Sequence, residues 1–264
     1  MSPADDRWAA GDAYETFMGR WSRRLADSFV RWLEIDPGLT WLDVGCGTGA
    51  LASTICRVAG PTAVVACDPS VAFVEHVRSR IADSRISVVV AGAGGLPERP
   101  GGFDCVVSGL VLNFLPDPRR GVQEMRARAR PGGVVAAYVW DYADRMQLLR
   151  VFWDEAVGVD AAARELDEGR RFPICRADAL ESVFREAGLN DVRSDAVEIP
   201  TPFASFSDYW LPFLGGTGPA PSYVASLDAE KRGQLRDRLE RRLARGSASA
   251  IDLVARAWAV RGTA

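Results

Sequence analysis

The stretch Thr40-Trp41-Leu42-Asp43-Val44-Gly45-Cys46-Gly47-Thr48-Gly49 constrains this chain more than any other. A short strand-like run ends in three alternate glycines, and helical character resumes from Ala50 to Ala59. A strand that passes through such a turn into a helix lets backbone come close to a ligand, because residues without side chains permit both tight turning and near contact. This is the outline of a small-cofactor site. The same residues satisfy the dinucleotide pattern Gly-x-Gly-x-x-Ala, and Asp68 stands about 20 residues on, where a ribose-binding acid belongs. Taken alone, the turn leaves the cofactor's identity open.

The unit then repeats. A second strand, Ala63 to Cys67, ends at Asp68-Pro69-Ser70, and Ser70 can cap a helix that carries Val71, Val74, Val77 and Ile81 on one face. Further strands are expected at Ile86 to Ala91, Phe103 to Ser108 and Val134 to Trp140, each apolar on both faces, with a helix near Gly121 to Ala129. Such alternation implies an α/β fold with a doubly wound, mostly parallel sheet. Ahead of it, Phe17, Trp21, Leu25, Phe29 and Trp32 fall on one helical face, so a helix is expected from residue 13 to about 34.

Beyond Trp140 the reading gives helices near Met146 to Val157 and Ala177 to Ala187, a strand near Val192 to Ile199 and a last strand near Ile251 to Val260 that closes the sheet. Between the last two strands lies an insertion. It begins with aromatics (Phe203, Phe206, Tyr209, Trp210, Phe213), passes the breaker cluster Gly215 to Pro221, and ends in an arginine-rich helix with Leu235, Leu239 and Leu243. The expected organisation is an N-terminal helical cap over 1–36, an α/β core over 37–199 and 247–264, and a helical, aromatic lid over 200–246.

Composition excludes several classes. The net charge is −3, and the basic residues are interspersed with acidic ones, so no nucleic-acid footprint is expected. No apolar run approaches the roughly 20 residues of a membrane span, and the acidic start, Met1-Ser2-Pro3-Ala4-Asp5-Asp6, has no signal pattern. Five cysteines without a Cys-x-x-Cys pair fit a reducing, cytoplasmic setting, and no metal is called for.

Asp43 bears on the choice of cofactor. A carboxylate at the end of that strand can serve a ligand's ammonium group but repels a nicotinamide diphosphate, or else it only braces the turn. The chain carries, in order, Leu42 to Gly49, Asp68-Pro69-Ser70, Leu96-Pro97, Phe103-Asp104, Leu110-Val111-Leu112-Asn113, Pro116-Asp117 and Pro131-Gly132-Gly133. As a set these resemble the class I, seven-stranded, Rossmann-like S-adenosylmethionine-dependent methyltransferases, in the branch of quinone-biosynthesis and other small-molecule enzymes. The resemblance covers about residues 14 to 140.

The resemblance implies a seven-stranded sheet with an antiparallel last strand. It implies S-adenosyl-L-methionine as cofactor, S-adenosyl-L-homocysteine as product, and a small, apolar or aromatic methyl acceptor attacked at O, N, C or S. Gly45, Cys46, Gly47 and Gly49 would line the methionine and ribose portions, with Asp43, Pro69 and Ser108 beside them and Asp68 on the ribose hydroxyls. Tyr14, with Met18-Gly19-Arg20-Trp21, resembles an element that closes over the cofactor, which adds Arg20 and Trp21. One departure stands out. Where the family often has an aspartate for the adenine amino group, this chain reads Ala91-Gly92-Ala93-Gly94-Gly95, leaving only the backbone of Gly92 and Ala93.

Methyl transfer from a sulfonium needs alignment and exclusion of water more than a base. Candidate catalytic groups follow the fourth and fifth strands: Asn113, and Asp141 or Tyr142 as a proton acceptor or relay. Trp140, Tyr209, Trp210 and Phe213 are candidate acceptor contacts. His76, the sole histidine, is expected on the surface. Two other readings stand beside this one: a catalytically silent adenosylmethionine-binding protein, and a nicotinamide oxidoreductase, for which no catalytic tyrosine-lysine pair is evident because Lys231 is isolated.

Overall fold

The computed structural model describes residues 15–92, 94–216, 218–243 and 250–264. Tyr14 and Ala93, both expected at the cofactor, lie outside the described residues. The chain forms two compact units. The sheet unit comprises Trp21–Val139, Ile174–Val197 and Ala257–Ala264; the second comprises Arg20 with the described residues before it, Trp140–Pro173 and Glu198–Arg256.

The helix α1 (Arg20–Leu33) leads into β1 (Thr40–Val44), α2 (Ala50–Val58), β2 (Ala63–Asp68), α3 (Val71–Arg80), β3 (Ile86–Val90), β4 (Phe103–Gly109), α4 (Pro118–Arg128) and β5 (Ala129–Trp140). After α5 (Gln147–Val159), α6 (Glu168–Arg171) and α7 (Ala177–Glu186) come β6 (Asn190–Pro200), α8 (Phe206–Trp210), α9 (Pro219–Ser226), α10 (Ala229–Leu243) and β7 (Val254–Thr263). The seven strands lie in the order β3-β2-β1-β4-β5-β7-β6. From β1 to β5 every pairing is parallel. β7 runs antiparallel to β5: Gly132 N donates to Ala264 O at 3.0 Å, and Ala264 N to Gly133 O at 2.9 Å. The expected mixed sheet is therefore the observed one.

This order fixes where a ligand can sit. From β1 the chain steps outward to β2 and β3, then returns to the other side of β1 as β4 and β5. The connections leave in opposite directions at β1 and β4, which opens a crevice outside their carboxyl ends.

Several local expectations are corrected. The N-terminal helix is not one α-helix from residue 13: Glu15–Gly19 is a π-helical turn, and the α-helix starts at Arg20. Trp21, Leu25, Phe29 and Leu33 form its buried face, but Trp32 turns aside, and its indole N–H donates to Asp195 Oδ2 at 2.8 Å. β3 is not enclosed on both faces. It is one of the two edge strands, with Val89 and Val90 36% and 49% exposed, and Arg78 covers the carbonyl of Val88 with a 2.7 Å hydrogen bond. The expected breaker cluster is only half a loop, because α9 begins at Pro219, where a fixed φ suits the first helical turn and no amide is missed.

Within the second unit, α5, α9 and the 3₁₀ turn Leu211–Gly215 share an aromatic core. Phe152 stacks on Phe213 at 4.5 Å, Phe17 meets Phe213 edge-on at 5.2 Å, and Trp153 lies 5.6 Å from Tyr223. Leu235 and Leu239 of α10 are fully buried, as their spacing predicts. Among the described residues no helix is long and apolar enough to cross a membrane.

Candidate cofactor site

The glycine turn leaves β1 in the middle of the sheet. Gly45 N and Cys46 N both donate to Cys67 O, at 2.8 and 2.9 Å, so the turn is tied to the end of β2. Its three glycines do different work. A Cβ at Gly45 would stand 2.5 Å from Val111 Cγ2, and one at Gly49 would stand 2.5 Å from Ile81 Cδ1. Both are glycine because protein packs against them. Gly47 has a left-handed φ of +51° and nothing within 4 Å of where a Cβ would be, so its backbone faces open space.

Asp68 ends β2 and is only 7% exposed. Its Oδ2 accepts from Gly47 N at 3.0 Å and its Oδ1 from Ser70 N at 2.9 Å. Burial raises its pKa, while the Ser70 and Gly47 amides oppose the shift. Ser70 Oγ is the cap of α3, accepting from Phe73 N. Asp68 therefore does not merely cap that helix: it spans from β2 to the glycine turn and fixes the orientation of Gly47. Nothing in the one-dimensional pattern pointed to the Asp68–Gly47 bond.

Asp43 contrasts with it. In register with Ala66 on β2 and Val107 on β4, it is 1% exposed, and neither oxygen has a hydrogen bond of normal geometry, the Ala52 amide being the donor that acts on it. Burial pushes its carboxyl up to about 7, the Ala52 amide at the head of α2 works against that shift, and the charge of Asp68 adds to it. The Gly47 amide of the turn is held by Asp68, not by Asp43.

The loop after β4 supplies the facing wall. Leu110 adopts φ +62°, a conformation that costs a branched side chain about 1–2 kcal/mol, and its amide is held by Tyr138 O at 2.8 Å. This sharp exit brings Val111 onto Gly45 and starts the 3₁₀ turn Leu112–Phe114. Asn113, in that turn, is 6% exposed, with neither its amide nitrogen nor its oxygen bonded. Ser108 is differently used: its hydroxyl donates to Val44 O at 2.8 Å and pins β4 to β1. The Cys46 thiol is buried, and that burial, with the charges of Asp43 and Asp68, pushes its pKa far up, so it is not a nucleophile. At Gly92 a Cβ would meet Pro69 Cβ at 3.1 Å, which places the backbone after β3 against the Asp68-Pro69-Ser70 segment.

The remaining candidates have the following surroundings. Arg20 pairs with Asp208 at 2.9 Å and lies 4.7 Å over the Phe203 ring, within the second unit. Trp21 is buried in α1 with Arg24 over its ring. Asp141, expected as a base, is 3% exposed and held by Arg256, whose Nε lies 2.7 Å from Oδ2. Its carboxylate is committed to an ion pair. Tyr142 packs 5.8 Å from Phe172, and Trp140 is 2% exposed at the end of β5. Tyr209 and Phe213 are fully buried, the Tyr209 hydroxyl donating to Leu148 O at 3.0 Å, so both are core side chains of their unit; Trp210 is 6% exposed. His76 is half-buried on α3. Sequence reading missed Glu168, a buried acid whose carboxylate receives the Trp153 indole N–H and whose burial pushes it up to about 7.

A switch-point crevice, a turn that presents bare backbone at Gly47, and a buried carboxylate and amide without hydrogen bonds stand at the carboxyl ends of the central strands. A methyltransferase-domain family matches residues 42–137, from β1 to β5. Demethylmenaquinone methyltransferase of Desulfitobacterium hafniense is 30% identical over 184 residues, covering 62% of this chain and 71% of that protein. A chloroplastic 2-methyl-6-phytyl-1,4-hydroquinone methyltransferase of rice is 30% identical over 117 residues, covering 44% and 36%. Several curated relatives are longer, and the chain spans half or less of their length. A solved putative methyltransferase from an antibiotic biosynthesis pathway of Anabaena variabilis has the same fold, with a TM-score of 0.60 at 18% identity over 91% of this chain and 97% of the other. The sheet order, the turn and these relatives agree: the chain belongs to the class I S-adenosylmethionine-dependent methyltransferases.

Proposed function

We propose that this protein transfers the methyl group of S-adenosylmethionine to an O, N, C or S nucleophile of a small, apolar or aromatic molecule. The observation that carries the reading is the pair of buried, unbonded side chains, Asp43 and Asn113, at the carboxyl ends of β1 and β4. An isolated carboxylate in a dry site costs several kcal/mol unless something cationic meets it. A ligand ammonium answers that need, whereas a dinucleotide diphosphate would worsen it.

When bound, the cofactor supplies a methyl group on a sulfonium centre, whose departure as a thioether needs no protonation. The chain's own residues then bind and align. Asp43 meets the ammonium group, and Asp68, already fixed by the Gly47 and Ser70 amides, uses its free lone pairs for the ribose hydroxyls. Gly47 admits the ligand where a side chain would stand in its way. Asn113 offers one donor and one acceptor to orient the acceptor's nucleophilic atom. Arg256 holds the Asp141 carboxylate, which argues against Asp141 as the base. The relatives act, by their names, on a demethylmenaquinone and a phytyl hydroquinone, which favours a phenolic or quinol acceptor here.

Calorimetry with adenosylmethionine, adenosylhomocysteine and NADH tests the cofactor. The methionine-derived ligands are expected to bind; tight NADH binding with neither of them would reject the reading. Incubation with methyl-labelled cofactor and a panel of phenols, quinols, amines, thiols and carboxylic acids tests transfer. Label is expected in a phenol or quinol, and binding without transfer to any of the panel would point to a silent binder.

A further inference from the structure

The segment Ala91-Gly92-Ala93-Gly94-Gly95-Leu96 has no polar side chain at all. Three of its six residues are glycine, so its backbone has much conformational freedom to lose on ordering. Yet in a chain of this family it has to present ordered backbone to the adenine, because the aspartate often found there is replaced by Gly92.

The structure holds this segment from outside. Glu124 Oε2, on α4, accepts a hydrogen bond from Gly94 N at 2.5 Å. One helical turn on, Arg128 Nε donates to Leu96 O at 3.0 Å, and its guanidinium reaches Glu98 at 3.2 Å. Residues four apart share a helix face, so α4 grips the loop at two points two residues apart. Arg120, a turn before, stands 3.5 Å from the other oxygen of Glu124 and orients the carboxylate. Inside the loop, Gly95 N closes back on Gly92 O at 3.0 Å, and Gly92 rests against Pro69. The bond to Gly94 N is charge-assisted though open to solvent, and it connects the Glu124 carboxylate, 22% exposed, to backbone two residues from Gly92.

We propose that Glu124 is a positioning residue for the cofactor's adenine: by fixing Gly94 it orders the backbone that replaces the missing acidic side chain. This inference rests on the reading of the chain as an adenosylmethionine-binding protein. Glu124 acts through the loop and does not itself touch the ligand.

Calorimetry with S-adenosylhomocysteine on wild type, Glu124→Ala and Glu124→Gln tests it, with S-inosylhomocysteine, which carries a 6-oxo group in place of the adenine amine, as a second ligand. Glu124→Ala is expected to weaken adenosylhomocysteine binding at least fivefold and to reduce the preference for the adenosyl over the inosyl compound. Glu124→Gln is expected to stay within about twofold of wild type, because its amide oxygen still accepts from Gly94 N. A folded Glu124→Ala variant that binds like wild type overturns the proposal, and so does an equal loss in both variants. If wild type itself binds no adenosylhomocysteine, the cofactor reading falls and this inference with it; wild-type binding alongside unchanged Glu124→Ala affinity removes this inference alone.

Discussion

The two units treat their buried acids in opposite ways. In the second unit each buried carboxylate has a protein partner: Asp141 has Arg256, Asp167 has Arg150 at 2.6 Å and the Gly169 amide at 2.8 Å, and Glu168 has the Trp153 indole. In the sheet unit Asp43 is as deeply buried as any of these and has no bonded donor, while Asp68 beside it is satisfied only by backbone amides. Burial alone therefore does not separate a structural acid from a ligand-binding one. The partner does: the buried carboxylates of the second unit are completed by side chains, whereas Asp43 is left incomplete and Asp68 meets only backbone amides, the pattern the proposed ligand role requires.

The largest expected effect tests the architectural side. Asp141→Ala leaves the Arg256 guanidinium part-buried without its main partner, and Asp144, the second acid within 2.8 Å, is largely exposed and a weak replacement. Stability is expected to fall by about 3 kcal/mol. Urea unfolding measures it, and adenosylhomocysteine affinity of the folded variant should be unchanged. A clear loss of affinity without loss of stability would make Asp141 part of the site and break the contrast.

Asp43→Asn is the counterpart and should do the reverse. It removes a buried charge that nothing in the fold neutralises, so stability at pH 8 should hold or rise by about 1 kcal/mol. Adenosylhomocysteine affinity should fall at least tenfold, since a charge-assisted contact to the ammonium becomes a neutral one. Equal affinities would show that Asp43 is only a buried acid.

How much of this was legible in the chain follows from the distance over which each feature is encoded. The strand-turn-helix at residues 40–58 was readable because it is local: period, glycines and helix resume within one short window. The alternation through β5 was readable for the same reason, and Ser70 as a cap lies next to its helix. β3 was misjudged because edge and centre strands differ in their neighbours, not in their own residues. Asp68 and Gly47 stand far apart in sequence, and no pattern announces that the acid belongs to the turn and not only to the ribose. Aromatic richness is the same signal for a pocket lining and for a core, so the sequence does not separate the acceptor contacts expected at Tyr209 and Phe213 from the buried positions they occupy. Asp141 could not be freed of its catalytic reading until Arg256, from the far end of the chain, was seen beside it. The unpaired state of Asp43 is likewise a property of three strands at once.

A pH titration sharpens the comparison with a smaller effect. Asp43 and Glu168 are both pushed up to about 7, in each case first by burial. Between about pH 4 and pH 7 the folded chain holds protons that the unfolded chain releases, so the stability they contribute is complete below about pH 4 and is lost as pH rises through 7. Asp104, held down to about 2 by Arg130 and the Thr40 amide, has the opposite sign, and its contribution is lost only below about pH 4. Ligand-free stability is thus expected to decline from pH 5 to pH 7.5, and the decline should be shallower in Asp43→Asn. Adenosylhomocysteine affinity should rise over the same range in wild type, because the ammonium prefers the ionised carboxylate, and should be flat in Asp43→Asn. A pH-independent wild-type affinity would mean that Asp43 does not meet the ammonium.

The smallest effect belongs to Glu168→Gln. The amide oxygen can still accept from the Trp153 indole, so Trp153 keeps its polar anchor, and stability at pH 6, where Glu168 is mostly protonated, should change by less than about 1 kcal/mol. At pH 8 the wild-type carboxylate is ionised in a dry site and the glutamine is not, so the variant should be the more stable of the two. Its adenosylhomocysteine affinity should match wild type at both pH values, in contrast to Asp43→Asn. If Glu168→Gln instead lost affinity tenfold while remaining folded, an acid completed by the fold would be serving a ligand as well, and the rule that separates the two kinds of buried carboxylate in this chain would fail.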